Sequence, residues 1–191
     1  MNLTTVRRFI TRSAAVLAAV TGLPQAAQTL PASVASAASA PAVPEYKLKA
    51  AFVYNFVLFT EWPTAGGDNG PLNLCVNAES MLRPALAEFH DRTVKGRRLQ
   101  IRNLNEAENL SSCHVLVLDS IDRERWAQIR RQLGGAAVLT VADDAEIGRR
   151  GAVITLYLEN NRIAFDVDMN AARAAHLTLS SKLLRLARIM P

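Results

Sequence analysis

Apolar residues recur at helical spacing soon after residue 44, where the chain reads K-A-A-F-V-Y-N-F-V-L-F-T-E-W-P from Lys49 to Pro63. Leu48, Phe52, Phe56 and Phe59 fall on one stripe, with Ala51 and Asn55 at its margin, so the spacing predicts an amphipathic helix docked on a core through that stripe. Pro44 suits the first turn. Trp62-Pro63 stops the helix, because the residue before a proline is disfavoured in the α region. The run is shorter than the roughly 20 apolar residues a membrane span needs, and Lys47, Lys49, Asn55 and Glu61 flank or interrupt it.

Beyond it, short β-rich runs alternate with helical ones. Leu72 to Asn77 reads as a strand, Ser80 to Asp91 as a helix with Pro84 near its start, and Arg98 to Leu104 as a second strand. A polar turn of helix is expected from Asn105 to Ser112. His114 to Asp119 has the near-continuous apolar character of a buried strand. Asp122 is the expected cap of a helix running to Leu133 and stopped by Gly134-Gly135. Strands follow at Ala137 to Ala142, Ala152 to Glu159 and Arg162 to Asp168, the last two joined by an Asn160-Asn161 turn; the segment holding Gly148 and Gly151 reads as a loop, and the end of the chain as helical. This alternation predicts a single-domain α/β sandwich: a mostly parallel central sheet, helices on both faces, and a C-terminal antiparallel hairpin.

The first residues change the charge picture. Arg7, Arg8 and Arg12 precede an apolar run and then small residues at A-x-A spacing, the pattern of a secretory signal peptide, with cleavage expected after Ala37. Residues 1–37 are thus expected to be a signal peptide, 38–43 a disordered tail and 44–191 the folded domain, exported to the periplasm. The formal +5 includes three of these arginines; from Pro41 onward 19 basic residues face 17 acidic ones. So small an excess removes the main support for nucleic-acid binding, and the arginine clusters at 92–98 and 123–131 read as solvated faces.

Export also bears on the two cysteines. Cys75 and Cys113 lie on or beside strands and either pair or stay as separate buried thiols; an oxidising compartment favours the pair. Cys113 and His114 are adjacent, so on a strand they point to opposite faces, and His90 and His176 show no ligand spacing; no metal or cofactor site is expected. Phosphate-binding glycine signatures are missing. Ser111, Ser112, Ser180 and Ser181 sit in no nucleophile elbow, with Ser180-Ser181 read as a helix cap. Asp143, Asp144 and Glu146 read as a loop that solvates its charges. Asp166 and Asp168 share a strand face and are candidates to pair with each other or with Arg173. No catalytic constellation emerges.

The aromatic segment, with L-N-L-C-V, G-R-R-L-Q-I, C-H-V-L-V-L, V-L-T-V-A-D and R-I-A-F-D-V-D-M-N-A-A-R-A-A-H-L-T-L-S-S-K-L-L-R-L-A in order, resembles the YfiR-like family of bacterial periplasmic proteins. The resemblance makes Phe52, Asn55, Phe56, Phe59, Trp62, Pro63, Ser180 and Ser181 motif residues. It implies an α/β domain without catalysis that represses an inner-membrane diguanylate cyclase by binding its periplasmic domain, lowering cyclic-di-GMP signalling and so regulating biofilm formation. It further implies relief of repression by an OmpA-like outer-membrane lipoprotein. A homodimer is compatible with this reading. Cys75 and Cys113 match family cysteines, whereas a second pair present in some members is missing. Arg150 and His176 stand where glycine is usual. Asp166, Asp168 and Arg173 are the candidate partner-binding residues. A small-molecule sensing or solute-binding domain is the alternative.

Overall fold

In the computed structural model the described residues are 44–63, 70–106 and 109–190. The expected signal peptide and tail, residues 1–43, lie outside them, as does Gly66-Gly67-Asp68, which reads in the sequence as a loop.

Helix α1 (Glu45–Phe59) starts beyond Pro44 and leads into strand β1 (Thr60–Glu61). Strands β2 (Leu72–Val76), β3 (Thr93–Val94), β4 (Arg97–Asn103), β5 (Val115–Leu118), β6 (Leu139–Ala142), β7 (Ile154–Glu159), β8 (Arg162–Asp168) and β10 (Arg188–Met190) form one sheet in the order β10-β8-β7-β6-β5-β2-β4-β3. Its centre, β4-β2-β5-β6-β7, is parallel; β7–β8 and β3–β4 are antiparallel hairpins. The expected mostly parallel α/β architecture with a C-terminal antiparallel pair is therefore present. Strand β9 (Thr178–Leu179) pairs with β1 in a separate two-stranded ribbon.

The strands between β4 and β7 follow the doubly wound plan, with a reversal of order between β2 and β5. One face packs on α1, α2 (Arg83–Ala87), α5 (Met169–Ala174) and α6 (Ser181–Leu184), burying Val53, Phe56, Leu74, Val117, Leu86 and Leu183 in one cluster. The other packs on α3 (Trp126–Leu133) and α4 (Ala145–Arg149), where Trp126, Ile129 and Ile147 meet Leu116, Leu118 and the cysteines. Every residue of β5 and β6 is buried, which explains their unbroken apolar runs.

Several local expectations need correction. Helix α1 buries Ala50, Val53, Phe56 and Val57, not the stripe through Leu48, Phe52 and Phe59; the helix is apolar nearly all round, so spacing alone did not select its inner face. The helix expected over Ser80 to Asp91 is only the five residues of α2, entered through a turn that Ser80 stabilises by accepting a bond from Leu82 N–H at 3.2 Å. Asp122 does not cap α3. It ends a 3-10 turn, Ser120–Asp122, that Asp119 caps, and its buried carboxylate accepts a bond from Asn77 Nδ2 at 3.2 Å. The expected loop at Gly148 belongs to α4, capped by Asp144, whose Oδ1 accepts from the backbone N–H of Glu146 and Ile147, each at 2.9 Å. A Cβ on Gly148 would lie 2.3 Å from Thr155 Oγ1, so this glycine is what lets α4 approach β7. The chain does not end as helix. After α6 it returns as β10, parallel to the second half of β8 through Arg188↔Asp166, Ile189↔Val167 and Met190↔Asp168.

Candidate functional site: a cleft and a bare sheet end

Doubly wound sheets bind ligands at the carboxyl ends of strands beside the reversal point. Here that crevice is stitched by the chain's own side chains. Asn77, just past β2, donates to Asp122; Asn105 Nδ2 reaches Asn77 Oδ1 at 3.5 Å; and Arg125 Nη1 donates to Asn105 Oδ1 at 2.7 Å. Desolvation raises the Asp122 carboxyl above the usual carboxylate range, with the Asn77 bond opposing it. Lys49 Nζ meets Asp143 at 2.6 Å and Glu45 at 2.5 Å, tying α1 to the end of β6. Burial also raises the Asp143 carboxyl, against the pull of Lys49. Asp144 is held low chiefly by its bond with Arg123, which also meets Glu146 at 3.3 Å. The acidic cluster of 143–146 is therefore a capping and cross-linking device. Among the described residues no group of three or more His, Cys, Asp or Glu side chains is placed to hold a metal ion.

On the α3 face, Cys75 of β2 and Cys113 before β5 form a disulfide with a Cα–Cα distance of 5.9 Å, both almost fully buried. The adjacency of β2 and β5 made this pair reachable from sequence. The second motif anchor is Trp62, whose indole N–H donates to His114 O at 3.1 Å and so fixes the end of the aromatic segment next to β5. Asn55 is exposed and donates to Ala51 O at 3.0 Å, a backbone bond on the outer side of α1. Phe52 and Phe59 are half-buried, Phe56 is fully buried, and Pro63 is exposed. Phe52 and Phe56 both pack their rings on Phe165, with centroids at 6.1 and 4.9 Å. Ser180 caps α6 by accepting from Lys182 N–H at 3.2 Å, while Ser181 is the exposed first helical residue.

The three candidate partner-binding residues do not come together. Asp166 accepts a bond from Tyr157 Oη at 2.8 Å and lies 3.7 Å from Arg188 Nε. Desolvation and then that bond raise the Tyr157 phenol. Asp168 caps α5 by accepting from Ala171 N–H at 2.8 Å. Arg173 instead donates to Asn170 Oδ1 at 2.5 Å. Asp168 and Asn170 do, however, line one wall of a cleft of about 370 Å³ between α3 and α5, with Trp126, Arg130 and Leu133 on the α3 side. It is mostly apolar, and Trp126 and Arg130 are fixed there by donating to Arg150 O at 3.1 and 2.8 Å.

The two family departures have local explanations. Arg150 has a negative φ of −97°, so glycine's freedom is not needed, and its carbonyl serves the two bonds just named. His176 has a φ of +53° and closes α5 in a Schellman motif: Leu177 N–H donates to Ala172 O at 3.0 Å and His176 N–H to Arg173 O at 2.9 Å.

At the far end of the sheet the cover thins. Leu158 pairs with Ile163 and Val167 with Ile189, so by strand parity all four share the face of Phe165. Leu158 is 47 % exposed, Ile189 46 % and Leu186, between α6 and β10, 76 %. Leu158 and Ile189 do not stand out in the sequence as surface residues; Leu186 closes the stretch Leu179 to Leu186, whose amphipathic pattern offers apolar surface but reads more simply as core, and it is exposed.

No curated protein matches this chain. Among solved structures, a conserved domain protein from Vibrio cholerae O1 biovar El Tor strain N16961 is similar with a TM-score of 0.50 and 9 % identity, over 78 % of this chain and 61 % of that one. At that identity the likeness is one of fold alone, and the chain spans less than two thirds of that protein. The model of the YfiR/HmsC-like family matches residues 46–188, from the second residue of α1 to the start of β10. The aromatic helix, the disulfide-bearing strands and the C-terminal strand–helix unit all fall inside that match, and the chain belongs to the YfiR/HmsC-like family of regulatory periplasmic proteins.

Proposed function

We propose that this chain is a non-catalytic periplasmic regulator that binds the periplasmic domain of an inner-membrane diguanylate cyclase and represses it, lowering cyclic-di-GMP. The observation that carries this reading is the family match over residues 46–188, regulatory rather than catalytic in character. Two physical features support it. The polar groups at the switch-point crevice are engaged with one another rather than left facing a substrate. The sheet end at β8 and β10 exposes apolar side chains of the kind that form the centre of a protein interface. An OmpA-like lipoprotein that sequesters the regulator completes the expected circuit, and the disulfide holds the domain in its binding form in an oxidising compartment. Deleting the gene is expected to raise cellular cyclic-di-GMP and biofilm, and the plasmid-borne chain to restore both. Unchanged cyclic-di-GMP in the deletion strain contradicts the proposal.

A second reading rests on the cleft between α3 and α5, whose volume and apolar lining with a few polar groups suit a small ligand. A ligand at a hundred times its Kd stabilises the folded state by about 2.7 kcal/mol, so a thermal-shift screen of amphipathic metabolites decides it. A flat screen removes this reading.

A further inference from the structure

We infer that the open edge formed by β8 and β10 receives an extended, acidic segment of a partner protein as an added strand, with its apolar side chains seated on Leu158, Ile189 and Leu186. This deepens the binding reading above and rests on it.

The backbone is open here. Strand β10 covers only Asp166 to Asp168 of β8, so the outer side of Arg162–Phe165 has no strand neighbour among the described residues, and β10 itself ends the sheet. Unpaired strand edges are templates for another strand. The opposite edge is closed differently. There β3 and β4 form a tight hairpin through Lys95 and Gly96, both at positive φ. Two of its cations are engaged, Lys95 Nζ donating to Thr60 O at 2.6 Å and Arg97 Nε to Gly70 O at 2.6 Å, while Arg98 and Arg102 are exposed.

Charge selects the occupant. Arg162, Lys182 and Arg185 flank the apolar residues along the chain, are exposed, and make no ion pair among the described residues. From Pro41 to Gly151 basic and acidic residues balance at 14 each, whereas from Ala152 onward five basic residues face three acidic ones. Of those three, Glu159 and Asp166 already serve Arg188, and Asp168 caps α5. The net positive charge of the domain is therefore gathered in the segment that builds this edge. Two copies of a basic edge repel each other, while an acidic strand with alternating apolar residues satisfies the backbone, the apolar patch and the cations together.

The test uses the chain purified from the periplasm and a phage-displayed library of linear peptides. Selected peptides are expected to alternate acidic with β-branched or aromatic residues, and a synthetic copy of one is expected to slow amide exchange at 162–165 and 188–190. The surface double variant Arg162→Glu/Arg185→Glu is expected to keep the melting temperature and weaken that peptide by about tenfold or more. Protection elsewhere, selection of basic peptides, or full binding by the charge-reversed variant overturns the inference. So does a wild-type dimer in sedimentation that Ile189→Asp dissolves, which makes a second copy the occupant, or co-sedimentation with phosphatidylglycerol vesicles without peptide selection. The outcomes separate the two proposals: peptide addition at β10 with unchanged cyclic-di-GMP on gene deletion removes the cyclase reading alone, and a cyclase effect with protection elsewhere removes only the edge.

Discussion

The sheet has a covered half and a bare half. In β2, β5 and β6 helices pack on both faces, every residue of β5 and β6 is buried, and a disulfide joins two neighbouring segments. In β7, β8 and β10 the burial alternates or vanishes, the β7–β8 pairing turns antiparallel, and the last strand is exposed throughout. The same chain thus packs one half on both faces and leaves its open apolar surface at the end of the other, beyond the buried Leu156, Phe165 and Val167. A substitution in the covered half acts on folding. One at the bare end leaves folding alone and acts on what binds there.

The largest expected contrast comes from matched leucines. Leu116 of β5 is fully buried, and Leu116→Ala is expected to cost about 2–5 kcal/mol by removing side-chain contacts and leaving a cavity. Leu158→Ala, at the bare end, is expected to stay within about 0.5 kcal/mol of the parent in urea unfolding. Equal losses at both sites would erase the distinction. Next is the disulfide: Cys75→Ser is expected to cost about 2–4 kcal/mol, since the bond closes a loop across a separation of 38 residues, and the reduced parent should unfold at the same lowered midpoint. An unchanged midpoint for both shows that apolar packing on the α3 face suffices without it.

A smaller effect of opposite sign is expected at His176, whose left-handed backbone suits glycine. His176→Gly should raise stability by up to about 1 kcal/mol, because relief of the left-handed strain exceeds the entropy glycine loses. A loss instead would mean that the exposed imidazole makes a contribution beyond its backbone. The smallest expected effect is in pH dependence. Burial raises the Asp122 carboxyl, so the folded chain takes up that proton at a pH where the unfolded chain does not. This group therefore adds stability as pH falls from neutral through its raised value towards the ordinary carboxylate range. Asp122→Asn should remove that increment from a pH series of unfolding midpoints, and an unaltered profile would show that Asp122 does not carry it.

What could be read from the sequence follows the same division. Buried strands announce themselves: V-L-V-L is apolar without interruption and the run from Leu72 nearly so, Asn160-Asn161 takes the positive φ values of 49° and 61° that its residue type allows, and Gly134 ends α3 at a φ of +52°. The two cysteines were placed on or beside neighbouring strands because the strands themselves were legible. Helix α1 was legible as a helix but not in its orientation, since a segment apolar on all sides has no periodic stripe. The two-residue β9 and three-residue β10 were not legible, because so short a strand completes no alternation and depends on a partner distant in sequence. That is why Asp166, Asp168 and Arg173 stood out as the binding candidates. These side chains are engaged locally with Tyr157, the α5 backbone and Asn170, and the open apolar surface lies instead one strand further out.

A domain that regulates by holding a membrane partner at its bare sheet end must touch that partner through Leu186. The most direct measurement replaces Leu186 with a photo-crosslinking amino acid in the full chain, irradiates living cells, and identifies the crosslinked proteins by mass spectrometry, with the same probe at exposed Met81, just past the covered strand β2, as the control. The expected result is an inner-membrane diguanylate cyclase crosslinked from Leu186 and not from Met81. Crosslinks from Leu186 only to soluble proteins, or to the cyclase from Met81 alone, would contradict it.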